Sequence, residues 1–104
     1  MSAAAITATS VFKKELVQDT ISGTVERQTE YTIILTKVTQ NDWVLLEGAI
    51  GKTTDTLRYM QATVVDSSGD GGPEVLAYTD ADDKCVMSDT TVGTVTIVLR
   101  YKNA

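Results

Sequence analysis

An all-β fold is what this sequence predicts: an antiparallel β-sandwich, or a small closed barrel, of about seven to nine short strands with at most one short helix. Three observations carry that expectation. Apolar and polar residues alternate in several stretches with the two-residue period of a half-buried strand. Turn-forming clusters interrupt those stretches about every 8–12 residues. Threonine, β-branched and suited to a pleated surface, occurs 17 times in 104 residues, among aliphatic neighbours rather than in a proline-rich, mucin-like run. This length, with an apolar fraction of 42%, makes one domain spanning residues 1–104 around a single core.

The elements follow in order. "AAITATSVF" reads as a first short strand, and it overlaps "VFKKELVQ", the only stretch with helical spacing, where Phe12 and Leu16 stand four apart. One or two helical turns are expected there. "TISGTV" is a short strand interrupted by a turn signal at Ser22–Gly23. In "TEYTIILTKV", Tyr31, Ile33 and Leu35 share one face and Thr32, Ile34 and Thr36 the other. After a turn at "QND", the stretch "DWVLLEGAI" is apolar on both faces from Trp43 to Leu46, which predicts a central strand or one covered by a neighbouring subunit. "GKTTD" turns the chain into "LRYMQATVV", where Met60, Ala62 and Val64 oppose Tyr59, Thr63 and Val65, although residues 56–61 fit a helical turn equally well. "SGDGGP", "TDADD" and "SDTTVG" then separate the short strands "EVLAYT" and "KCVM" from the clearest strand of all. That last strand, "VGTVTIVLRYK", sends Val95, Ile97, Leu99 and Tyr101 one way and Thr94, Thr96, Val98 and Arg100 the other.

Composition removes most chemistry. There is no histidine, hence no access to the commonest general base, transition-metal ligand or pH switch. Cys85 is the sole cysteine, so neither an internal disulfide nor a cysteine metal cluster can form, and its place between apolar neighbours in "KCVM" suits a small buried side chain. No Gly-rich phosphate loop, nucleophile elbow or zinc-protease motif occurs, and no cofactor is expected. The chain reads as a non-enzyme. A net charge of −5 argues against a nucleic-acid partner, whose phosphates demand lysine and arginine. No apolar run is long enough to span a membrane. In "MSAAAITATSVFKK" the lysines follow the apolar stretch, the reverse of a secretory signal, so synthesis and folding in the cytosol are expected.

Residues 66–89 carry seven acids and one base, and within them "DSSGDGGPE" resembles the start of a calcium loop. An EF-hand needs a bidentate Glu at its twelfth position and helices on both sides; counting from Asp66 that position is Ala77, and the flanks read as strands. A looser oxygen site would draw on Asp66, Asp70 and Glu74, joined by Asp80 or Asp82 from "TDADDK". The simpler reading is a turn, with glycines for unusual backbone angles and Pro73 forcing Gly72 extended. No metal is expected. The three carboxylates of "TDADDK" likewise read as a solvated turn rather than an acid–base pair acting on a sugar.

The functional expectation is a structural protein: a self-assembling β-sandwich subunit, trimeric or larger, or one that docks on a capsid or tail lattice. A virion component reconciles the durable, threonine-rich, histidine-free composition with the lack of an export signal, since it folds in a host cytoplasm and works outside it. The likeness is one of type, to capsid decoration, head and tail proteins. The expected assembly residues are Ile34, Val44, Leu46 and Val98. The alternative is a binding module for carbohydrate, with Trp43 and Tyr31, Tyr59, Tyr78 and Tyr101 stacking on sugar above a calcium-stabilised acidic loop face.

Overall fold

The computed structural model describes residues 2–21, 24–51, 57–79 and 81–102, and for 15–21 and 24–26 the backbone alone. Its elements are β1 (Ser10–Ile21), β2 (Thr24–Lys37), β3 (Trp43–Leu45), α1 (Leu46–Ile50), β4 (Leu57–Val65), β5 (Gly71–Pro73), β6 (Leu76–Thr79), β7 (Lys84–Met87) and β8 (Gly93–Lys102). Among the described residues they make two antiparallel sheets, one ordered β1-β2-β8-β4-β5 and one ordered β3-β7-β6. The sheets stack as a sandwich and do not close into a barrel.

The core is built by the alternation visible in the sequence. Tyr31, Ile33 and Leu35 of β2, Val95, Ile97, Leu99 and Tyr101 of β8, and Ala62 and Val64 of β4 all point inward and are buried. Register makes them neighbours: Tyr31 faces Leu99, Ile33 faces Ile97, and Ala62 faces Ile97 from the other side. Tyr31 and Tyr101 meet edge to face, with ring centroids 6.0 Å apart, a favoured arrangement for aromatic quadrupoles. The smaller sheet supplies Val44, Cys85 and Met87, and α1 adds Leu46.

Two local expectations change. "VFKKELVQ" is strand, not helix: it lies within β1, paired with β2 from Ser10↔Ile34 onward. A spacing of four residues fits a strand face as well as a helix face, and a long cross-strand partner decides between them. "DWVLLEGAI" is not a central strand. Only Trp43–Leu45 is extended, at the edge of the smaller sheet, and Leu46–Ile50 is helix. A run apolar on both faces carries no period that separates the two. The helix stops at Gly51, whose φ of 68° is left-handed and whose N–H returns to the Glu47 carbonyl at 2.8 Å, the usual glycine C-cap. Residues 57–61, which also fitted a helical turn, are strand. The turn signals at Ser22–Gly23 and across most of "GKTTD" lie outside the described residues.

Gly93 fixes the entry to β8. Its φ is 146°, and a Cβ there would run into the Val65 carbonyl oxygen and come within 2.9 Å of the Asp66 Cα.

Candidate assembly surface

The two sheets are unequal, and the difference creates the surface. Three strands cover the inner face of the larger sheet, while its outer face is open. Alternation places a fixed set of side chains there, and register arranges them in rows. One row runs Phe12, Thr32, Val98, Gln61; the next runs Ser10, Ile34, Thr96, Thr63, Pro73; a third runs Thr36, Thr94, Val65, Gly71. Five threonines thus share one face with Phe12, Ile34, Val65 and Val98.

A polar row borders this face. Glu30 faces Arg100, and Arg100 faces Tyr59. The Arg100 Nε donates to Glu30 Oε2 at 3.0 Å, and its guanidinium lies 4.8 Å from the Tyr59 ring centroid. Glu30, Tyr59, Gln61 and Val98 line a shallow depression of about 400 Å³ here.

β1 exposes large apolar side chains. It ends the five-strand order, so among the described residues its outer edge has no partner strand. Phe12 is 57% exposed on the open face, and Val11, on the opposite face, is 40% exposed. The smaller sheet stops short of it. A groove of about 360 Å³ opens instead, lined by Ala5, Ile6, Ala8, Val11, Val44 and Ala49. Lys13 and Lys14 and a register shift between Leu16 and Asp19 interrupt the edge, features that discourage open-ended strand addition.

The assembly residues expected from sequence divide. Ile34 and Val98 lie half-buried on the outer face. Val44 and Leu46 are covered by this chain's own residues, so neither presents a surface to a partner. Their apolar run fills the core of one subunit, because the helical turn at Leu46 swings that side chain inward. Val11 and Phe12 fall where the expected strand "AAITATSVF" and the expected helical turn "VFKKELVQ" overlap, and neither reading placed them at a sheet edge.

The acidic residues disperse. Asp66 Oδ1 accepts the N–H groups of Ser68 at 2.9 Å and Asp70 at 3.0 Å, and the Asp66 N–H donates to the Asp70 carbonyl at 2.8 Å; the carboxylate closes its own turn. Asp70 and Asp82 are exposed, and Asp80 lies outside the described residues. Glu74 is buried in an ion pair with Lys37 at 2.5 Å. Among the described residues no three potential metal ligands converge.

Asp83, adjacent to these, caps a helix from a distance. Its two carboxylate oxygens accept the N–H groups of Glu47 at 2.8 Å and Gly48 at 3.2 Å, and Oδ1 also accepts the Tyr78 hydroxyl at 3.1 Å. Cys85 is fully buried, and burial, then the Glu74 and Asp83 carboxylates, push its thiol up to about 12. It stays protonated at neutral pH and behaves as an apolar side chain.

The aromatic residues form no common row. Tyr31 and Tyr101 are in the core, Tyr78 faces inward beside Cys85, and Tyr59 belongs to the outer face of the larger sheet. Trp43 lies on the outside of the smaller sheet, with the Lys84 ammonium 4.4 Å above its ring. No protein-family model matches this chain, and no curated protein or solved structure matches it either.

Proposed function

We propose that this protein is a non-enzymatic structural subunit that assembles with copies of itself or docks on a lattice. β1 carries the reading. Among the described residues its outer edge is unpaired, and apolar side chains are exposed on both of its faces, at Val11 and Phe12. Lys13, Lys14 and the register shift after Leu16 oppose open-ended strand addition, so the edge suits a closed contact in which a second chain covers Val11 and Phe12. The adjoining outer face supplies Ile34, Val65 and Val98 on a flat threonine-rich surface, suited to packing against a second sheet. A virion shell or tail, built in a host cytoplasm from many copies, is the setting that the composition suits.

The test is the solution mass of the purified protein by light scattering after size exclusion, in calcium and in EDTA. A trimer or larger species in both buffers is expected. Phe12→Asp should reduce it to monomer while leaving the circular dichroism spectrum unchanged. A wild-type protein that stays monomeric at high concentration overturns self-assembly; binding to a shell would then be the surviving form.

A further inference from the structure

The contact between Lys37 and Glu74 is built for more than charge pairing. Lys37 takes the last inward position of β2, following Tyr31, Ile33 and Leu35, and its side chain is wholly covered. Glu74, the residue after β5, is covered to the same degree. The two lie 37 positions apart, and β8 and β4 separate their strands in the sheet order. Lys37 Nζ stands 2.5 Å from Glu74 Oε1.

A single residue holds both partners. The Asp89 carbonyl, in the β7–β8 connection, accepts a hydrogen bond from Lys37 Nζ at 2.5 Å, and the Asp89 N–H donates to Glu74 Oε2 at 2.8 Å. An amine is thus fixed against a carboxyl group whose second oxygen already faces a backbone donor, with bulk water excluded. Positioning of this kind converts a slow bimolecular condensation into an intramolecular one, and a donor at the developing oxyanion stabilises the tetrahedral intermediate.

We propose that Lys37 and Glu74 condense to an intramolecular amide, a covalent staple between β2 and the β5–β6 connection. A proton passes from Nζ to Oε1, leaving a neutral amine and a carboxylic acid. The Nζ lone pair attacks Cδ, and the charge that develops on Oε2 is met by the Asp89 N–H. A second proton leaves Nζ for Oε1, the Cδ–Oε1 bond breaks, and Oε1 departs as water. One ammonium and one carboxylate become one amide and one water, with no oxidant or co-reactant.

The amide nitrogen retains one hydrogen and the amide oxygen stays opposite the Asp89 N–H. Keeping both Asp89 contacts at once selects the cis amide, the less stable isomer of a secondary amide, whereas the trans amide keeps only one of them. Two desolvated charges, each unfavourable in a dry interior, are replaced by one neutral group with its hydrogen bonds satisfied. Exclusion of water also removes the reagent that would reverse the reaction. The proposal does not depend on self-assembly, since every group belongs to one chain.

The experiment is the intact mass of the folded protein after prolonged incubation, followed by mapping of proteolytic fragments. The wild type should be lighter than its sequence by one water, with the Lys37 and Glu74 peptides recovered joined. Lys37→Arg should have its full mass, and Glu74→Gln, whose carboxamide can release only ammonia, should show no loss of water. A wild type of full mass overturns the proposal. So does a water loss that persists in Lys37→Arg, which would mark cyclisation at Asp70–Gly71 instead.

Discussion

Asp42 Oδ1 accepts the backbone N–H of Ala4 at 2.9 Å across 38 positions of chain, fastening the N-terminal segment to the turn before β3. Oδ2 accepts the N–H groups of Val38 at 3.0 Å and Thr39 at 2.8 Å. The same turn places Asn41 in the left-handed region, at φ 71°. One carboxylate therefore closes a turn and holds the strand-like lead-in whose Ala5 bridges Trp43 in parallel.

Burial works to raise the Asp42 carboxyl, but the N–H groups of Ala4, Thr39 and Val38, helped by Lys37 for as long as its amine is charged, outweigh it and hold the group below the usual carboxylate value. A depressed folded-state value stabilises the fold above the unfolded value, near about 4, and that contribution disappears as pH falls through the folded one. Asp42→Asn should cost about 1–3 kcal/mol at neutral pH, the range for losing hydrogen bonds to a charged acceptor. Urea titrations of both proteins should show the gap narrowing below about pH 4.

Gly93→Ala should destabilise the protein by about 2 kcal/mol or more, through strain at positive φ and the clash with Val65 and Asp66 backbone. Gly72→Ala is the control, because a Cβ there meets nothing within 4 Å. Thermal melts of the two variants should differ accordingly. Equal melting temperatures would mean that the β4–β8 crossing relaxes at no cost.

β8 and the second half of β2, from Tyr31 to Lys37, were legible residue by residue because each alternates against one buried face, while the start of β2 was assigned to a separate short strand, "TISGTV". β7 was legible for the same reason at shorter length. β1 was not, since Phe12 and Leu16 satisfy two periods and only the partner strand chooses. The turn at Asp66 could be read from its glycines, but its closure by the Asp66 carboxylate depends on three-dimensional geometry. Lys37 carried a usable signal: its parity in β2 is inward, and a lysine at an inward position needs a buried partner. Asp83 had none, because it serves N–H groups remote in sequence, and Asp42 showed only its part in the local turn at "QND", not its hold on Ala4 38 positions away.

Leu46 and Phe12 should separate folding from assembly. Leu46→Asp places a charge in the core where Leu46 is fully buried, and should unfold the subunit. Leu46→Ala, a milder change, should cost about 2–5 kcal/mol through the cavity it leaves. Phe12→Asp alters a side chain that is mostly in water and should change stability by about 0.5 kcal/mol or less. Denaturant midpoints at a protein concentration too low for association provide the comparison.

The acidic loop should act as a turn in solution. Asp66→Ala removes the acceptor for two backbone N–H groups and should cost about 1 kcal/mol. Asp70 contributes its backbone to that turn and leaves its side chain in solvent, so Asp70→Ala should stay within about 0.5 kcal/mol of wild type. A calcium site would reverse this order, because deleting either carboxylate would then weaken the ion and lower the melting temperature only when calcium is present. Melts of the wild type and both variants, each in calcium and in EDTA, distinguish the two. The expected result is a loss at Asp66 alone, identical in the two buffers.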